Sequence, residues 1–268
     1  MTFRLGLIGA GNMAEAIARG ALDRGVLPAG SVCAADPSPE RLALFESFGV
    51  TPLADNAAVV AASDAVMLAV KPQVLPALAG DFAGLDRDKQ TVISIMAGLG
   101  AAKIEAVLGG PARVVRVMPN TPLMVGRGMS GVALGPNAQP GDDTLAMELF
   151  GACGEAVRVS ESDLDAVTAV SGSGPAYLFY LAEAMERAAD ELGLAGPARK
   201  LVTQTLLGSA ELLAQSGEAP AELRRKVTSP GGTTAAAIET LDQLKVSDAV
   251  VAALTAARDR SIELGQSS

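Results

Sequence analysis

The sequence predicts an α/β protein in two parts: a parallel sheet covered by helices, then an all-helical segment. Three observations carry that expectation. The first half alternates short apolar runs with helix-forming stretches, the pattern of parallel strands buried beneath helices. A Gly-x-Gly-x-x-Ala turn (Gly9, Gly11, Ala14) separates the first run from the first helical stretch. From about residue 161 strand signals cease, and Ala- and Leu-rich segments punctuated by Gly, Pro and Ser run to the end.

In chain order, runs of strand length fall at Leu5–Ile8, Val32–Ala35, Val66–Val70, Val92–Ile95 and Val114–Met118. Helices are expected near 12–23, 38–48, 56–62, 74–79 and 101–108. GMSGVALG (128–135) and EAVRVS (155–160) read as two more strands, candidates for antiparallel pairing at an edge, with a helix at about 142–152 between them. The second part holds helices near 162–170, 176–192, 197–215, 220–227, 233–242 and 247–264. The expected domains are therefore 1–160 and 161–268. Helix 197–215 is apolar on more than one face. It must be covered by the first domain or by another subunit, and a dimer built on the second domain is expected.

Composition narrows the class of function. Apolar residues make up 49% and charged residues 19%, so the chain is globular and not disordered. Aromatic residues are only 3%, which leaves Ala, Val and Leu to build the core. A net charge of −9 argues against nucleic acid or an anionic membrane as partner. Cys33 and Cys153 form no CxxC and read as core thiols in a reducing compartment. No signal-like segment opens the chain, and the apolar stretch 57–70 is interrupted by Ser63 and Asp64, so a cytoplasmic location is expected. The absence of histidine removes Ser-His-Asp and Cys-His catalysis and His-ligated metals; no metal is expected. Catalysis must draw on a cofactor, backbone dipoles, hydroxyls, carboxylates or lysine.

The glycine turn is the sharpest motif. A strand, Gly9 for a tight turn, Gly11 for close backbone approach, Ala14 for helix–strand packing and a helix start together make a Rossmann-type dinucleotide site. The helix N-terminus offers N–H groups and partial positive charge to a pyrophosphate. Asp36 closes the second strand, where a carboxylate accepts from ribose hydroxyls and favours NAD over NADP. Ser38 and Arg41 could instead serve a 2′-phosphate, or Asp36 or Ser38 could simply cap the next helix, so NAD and NADP both remain open. Lys71 in AVKP (69–72) lies at a strand end facing the cofactor side, near phosphates or a substrate carboxylate, or else simply in solvent. Asn120 in MPNTP (118–122) could bond a nicotinamide amide or its own turn. SGSGPAY (171–177) and TSPGGTT (228–234) set glycines and hydroxyls directly before helices. The second suits a small carboxylate, or serves as a helix cap and hinge.

LGLIGAGNMA, AVKP, MPNTP, VSGSGPAY and SPGGTT, in this order and at these intervals, resemble the pyrroline-5-carboxylate reductases over residues 3 to about 264. That resemblance implies NADPH- or NADH-dependent reduction of the cyclic imine pyrroline-5-carboxylate to L-proline. It also implies a Rossmann-type domain, a helical domain that interlocks two subunits, and a decamer built from the dimers. Carried onto this chain, it assigns Ile8, Gly9, Ala10, Gly11, Asn12 and Met13 to the pyrophosphate turn, and Asp36 and Asn56 to the adenosine ribose. Ala69, Val70, Lys71 and Pro72, with Ile95, Met96 and Ala97, border the nicotinamide half. Ser229, Gly232, Thr233 and Thr234 hold the substrate, and Glu161 contributes at the domain junction. In the implied mechanism, N–H groups around Gly232–Thr234 and the Ser229 hydroxyl take the carboxylate. Thr234, the catalytic candidate, sits by the ring nitrogen. A β-hydroxyacid dehydrogenase is the nearest alternative, but none of Lys200, Lys226 and Lys245 stands in the G-x-x-x-N-x-x-K arrangement of that family. A nucleotide-binding regulator without turnover is the alternative from a different class.

Overall fold

The computed structural model describes residues 2–267. Packing divides the chain into two units: Met1–Gly174 with Ala257–Ser268, and Pro175–Ala256.

The first unit is built on an eight-stranded sheet. Its strands are β1 (Leu5–Ile8), β2 (Val32–Ala35), β3 (Thr51–Pro52), β4 (Ala65–Leu68), β5 (Thr91–Ser94), β6 (Arg113–Met118), β7 (Gly128–Leu134) and β8 (Gly154–Arg158). Their order is β3-β2-β1-β4-β5-β6-β7-β8. Pairing is parallel from β3 across to β6. Helices α1 (Asn12–Asp23), α2 (Pro39–Glu46), α3 (Asn56–Ala62), α4 (Ala101–Val107) and α5 (Thr144–Gly151) cover it. Pleating sends alternate side chains to opposite faces. Leu5 and Leu7 pack with Ile17 and Ala21 of α1, Phe45 of α2 and Phe150 of α5. Ile8 and Leu68 pack on the other face with Val59 and Val60 of α3 and Ile104 of α4. Each of the Leu, Ile, Val and Phe side chains, fully buried, contributes about 1.5–3 kcal/mol.

Helix starts follow local chemistry. The Ser38 hydroxyl accepts from Arg41 N–H at 3.3 Å at the head of α2, with Pro39 in the first position. Asp55 does the same for α3, accepting from Ala58 N–H at 2.8 Å. The capping role considered for Ser38 is thus the observed one.

Several local expectations change. β7 is antiparallel to β6, as the edge pattern suggested, but β8 joins β7 in parallel. The helix anticipated at 74–79 is a longer 3-10 helix, Pro72–Phe82. Pro76 inside it has no N–H to donate to an α-type bond. The expected helix 162–170 breaks into a 3-10 turn (Glu161–Asp163), α6 (Leu164–Val167) and a π turn (Thr168–Gly172), in which Ser173 N–H donates to the Thr168 carbonyl at 2.8 Å. Two elements were not anticipated: the two-residue edge strand β3, which tolerates Pro52, and a 3-10 turn at Thr121–Val125.

The second unit consists of helices: α7 (Gly174–Glu191), α8 (Ala198–Ser216), α9 (Pro220–Lys226), α10 (Thr233–Gln243) and the first turns of α11 (Val246–Ser267). Among its described residues the buried apolar side chains are Ala198 and Val202 alone. Phe179, Tyr180, Leu207 and Val251 are each more than half exposed. A helix set that leaves such residues in water has no core of its own and needs a covering surface. No helix among the described residues is long and apolar enough to cross a membrane.

Candidate functional site

The sheet order reverses between β1 and β4, so the chain leaves these neighbouring strands toward opposite sides and opens a crevice beyond their C-terminal ends. The glycine turn sits there. Gly9 has φ +97°, and a Cβ on it would lie 2.9 Å from the Ala69 carbonyl oxygen. Only glycine combines that backbone with that neighbour. Gly11 is exposed, and a Cβ on it would meet no atom within 4 Å. α1 begins immediately after it with no side-chain cap, which leaves its first N–H groups without a capping side chain. Ala14 is fully buried and lets α1 close on the sheet. An open turn and uncapped donors at the switch point fit a dinucleotide pyrophosphate. Ile8 and Ala10 are themselves buried and Met13 packs against the core, while Gly11 and Asn12 are exposed.

Asp36 reaches back to this turn. Its carboxylate accepts from Ala10 N–H at 2.7 Å and from Ser38 N–H at 2.8 Å. Arg41 grips the other side of the same residue, donating to the Ala10 carbonyl at 2.6 Å and to Glu15 at 2.8 Å. Burial disfavours the Glu15 carboxylate, but hydrogen bonds from Arg19 and Arg41 outweigh it and hold the carboxyl below its usual range. Asn56 donates to Asp81 at 2.8 Å.

The segments after β4 and β5 are adjacent, tied by Ile95 N–H to the Leu68 carbonyl at 3.2 Å. Ala69, Val70 and Pro72 are half-buried there; Lys71 is exposed and, among the described residues, carries no ion pair. Ala97 is exposed and Ile95 half-buried. Met96 turns its side chain into the core at 3% exposure, so only its backbone can face a ligand. Two expectations need correction. Asn120 is committed internally: its amide donates to the Ser171 carbonyl at 3.1 Å and its oxygen accepts from Met129 N–H at 2.9 Å. At 9% exposure it ties β6 to β7 and the π turn and has no free face for nicotinamide. Glu161 accepts from Ala101 N–H at 2.7 Å and from Arg116 at 3.2 Å through one oxygen. It therefore serves first as the missing cap of α4, whose own N-cap is Gly100.

In the second unit, Ser229–Gly232 forms the turn that starts α10. Gly231 has φ +69°, and Gly232 N–H donates to the Ser229 carbonyl at 3.0 Å. That bond removes Gly232 from the expected donors; its role is close packing, since a Cβ would lie 2.5 Å from Ser229 Oγ. The N–H groups of Thr233, Thr234 and Ala235 remain as the unpaired first turn. Among the described residues, no hydrogen bond engages the hydroxyls of Ser229, Thr233 or Thr234. In the last turn of α9, just before this loop, Arg225 pairs with Glu222 and Lys226 with Glu218, while Arg224 has no ion pair among the described residues. The arrangement suits a small carboxylate. Among the described residues no three Cys, Asp or Glu side chains gather as a metal ion requires.

Glu15 and Asp81 were not singled out from sequence. The i,i+4 pair Glu15–Arg19 was legible as a helix-face ion pair, whereas Asp81 lies 25 residues beyond Asn56 with no motif to join them.

Comparison with known proteins bears on both units. A model described as pyrroline-5-carboxylate reductase dimerisation matches residues 161–264, and one described as NADP oxidoreductase coenzyme F420-dependent matches 4–98. The chain is 43% identical over 268 residues to a pyrroline-5-carboxylate reductase of Pseudomonas aeruginosa, covering 99% of this chain and 98% of that one. The solved pyrroline-5-carboxylate reductase of Coxiella burnetii superposes with TM-score 0.89 at 36% identity, covering 98% and 99% of the two chains. That of Plasmodium falciparum, with NADP bound, superposes with TM-score 0.83 at 29% identity over 98% of each. On a Rossmann-type sheet, an open glycine turn and full-length similarity, the chain belongs to the pyrroline-5-carboxylate reductases.

Proposed function

We propose that this chain reduces the cyclic imine 1-pyrroline-5-carboxylate to L-proline, the last step of proline biosynthesis, using NADPH or NADH. The observation that carries the site assignment is the start of α10, where, among the described residues, three hydroxyls and the first N–H groups of an uncapped helix have no hydrogen-bond partner. The reduced nicotinamide, when bound, supplies the hydride. Thr233, Thr234 and Ala235 N–H groups and Ser229 Oγ hold the substrate carboxylate, and Gly232 keeps that turn tight. Thr234 Oγ lies by the ring nitrogen, accepting from the iminium N–H and donating to the amine as the charge leaves it. The nitrogen keeps its proton and regains its lone pair, so no strong general acid is needed, in keeping with a chain without histidine. The protein's contribution is orientation.

The coenzyme set comprises the backbone of residues 8–13, Asp36, Asn56, and the segments 69–72 and 95–97. Glu161 enters as a positioning residue that holds the head of α4. The functional division is 1–160 and 161–268, supported by the family model that begins at residue 161. The chain forms a homo-oligomer; we assign a dimer closed by the helical part and a decamer assembled from dimers, supported by the exposed Phe179, Tyr180 and Leu207. The same proposal places it in the cytoplasm, without nucleic acid or membrane partners. Adding pyrroline-5-carboxylate to the full-length protein with reduced coenzyme tests the activity. Steady coenzyme oxidation with matching proline formation is expected. Tight coenzyme binding without oxidation would make the chain a sensor instead.

A further inference from the structure

Taking the coenzyme site as assigned above, we infer that this chain prefers NADH to NADPH, with Asp36 as the selecting residue and Arg41 withheld from the opposite role. The two coenzymes differ by one phosphate on the adenosine 2′ oxygen. A carboxylate at the end of the second strand accepts from the free ribose hydroxyl; a cation at the same place would welcome the phosphate. Both residue types occur within six positions here, so residue type alone does not decide. Geometry does.

Each Asp36 oxygen holds one backbone N–H, from Ala10 at 2.7 Å and from Ser38 at 2.8 Å. These bonds fix the carboxylate beside the glycine turn. A carboxylate offers about four acceptor positions, so each oxygen keeps one for a ribose hydroxyl. Arg41 is spent. Its Nε donates to the Ala10 carbonyl at 2.6 Å, its fork pairs with Glu15 at 2.8 Å, and its guanidinium lies over the Phe45 ring at 5.6 Å. Glu15 also pairs with Arg19 at 2.9 Å. A 2′-phosphate would therefore meet a fixed carboxylate. The Arg41 guanidinium already has its charge paired with Glu15 at 2.8 Å. NADH needs no counter-charge there. Ala10 is held through its N–H by Asp36 and through its carbonyl by Arg41, which ties the segment after β2 to the glycine turn.

Coenzyme selectivity in the full-length protein is the test. NADH and NADPH are titrated without substrate by nicotinamide fluorescence, and kcat/KM is measured for each with pyrroline-5-carboxylate. NADH should be favoured at least about tenfold in both, equivalent to about 1.4 kcal/mol. Asp36→Ser should narrow or invert the ratio, chiefly through the KM for NADPH, whereas Arg41→Ala should leave NADH preferred. Should Asp36→Ser fold poorly, competition against NADH in the unaltered protein gives the same answer: adenosine 5′-monophosphate should compete better than adenosine 2′,5′-bisphosphate. Equal or tighter NADPH binding by the unaltered protein, or a selective loss of NADPH in Arg41→Ala, overturns the inference while leaving the reductase activity intact. Tighter NADH binding with no oxidation supports the inference and removes the activity instead.

Discussion

Gly9→Ala tests the core of the coenzyme site with a single methyl group. The backbone at Gly9 has φ +97°, where an alanine is strained by about 1–3 kcal/mol. The new Cβ would also lie 2.9 Å from the Ala69 carbonyl oxygen, about 0.5 Å inside ordinary contact. That neighbour is main chain at the end of β4 and cannot swing aside as a side chain would. Overpacking of this kind costs about 1–3 kcal/mol more. Together the two effects amount to about 2–6 kcal/mol. At fixed protein concentration, which matters for an oligomer, Tm should fall by about 5–15 °C. The same methyl pushes the turn and the 69–72 segment apart, so coenzyme affinity should fall at least about tenfold. Differential scanning calorimetry and coenzyme titration measure both effects. An alanine variant that melts within a degree of the parent and binds coenzyme equally well would refute the argument that this turn is confined to glycine.

Three further expectations follow from the same structure. Thr234→Ala should lower kcat by about tenfold to a hundredfold, the value of a hydrogen bond to a charged group, with coenzyme Kd unchanged; unchanged turnover removes Thr234 from the chemistry. Gly232→Ala places a methyl 2.5 Å from Ser229 Oγ and swings that hydroxyl away, so KM for the imine should rise about tenfold while coenzyme binding stays constant. Arg113→Met strands Asp142, whose side chain is 2% exposed and whose carboxyl the Arg113 hydrogen bonds hold below its usual range. The pair stabilises the fold above the unfolded-state carboxyl value near 4, and this contribution is lost as pH falls through the lower folded value. The variant should therefore be less stable by about 3–5 kcal/mol at neutral pH, and the gap should close in acid. Denaturant melts at several pH values measure it, and a pH-independent gap contradicts the assignment.

Much of the fold was legible because it is written locally. Leu5–Ile8, Gly9, Gly11 and Ala14 lie within ten consecutive residues, and each has one physical job that its type announces. Helices α8 to α10 were placed within two residues because Pro, Gly and Ser punctuate them. What escaped depends on partners distant in sequence. The Ala10 clamp joins residues 26 and 31 positions apart. Asn120 carries the same amide whether it meets nicotinamide or Ser171, and only packing across 51 residues chose the latter. Glu161 looked like a substrate ligand until the head of α4, 60 residues earlier, was seen to lack a cap of its own.

The amino-acid sequence by itself determined the strand–turn–helix at the start of the sheet, the change from sheet to helices, and the hydroxyl-rich start of α10. Those features rest on periodicity, backbone freedom and helix ends, which act over a few residues. The direction of β8, the burial of Met96 and Asn120, and the hydrogen-bond partners of Asp36 and Arg41 were decided only by tertiary structure. Each depends on which of several equally suitable partners the folded chain brings within hydrogen-bonding or packing distance.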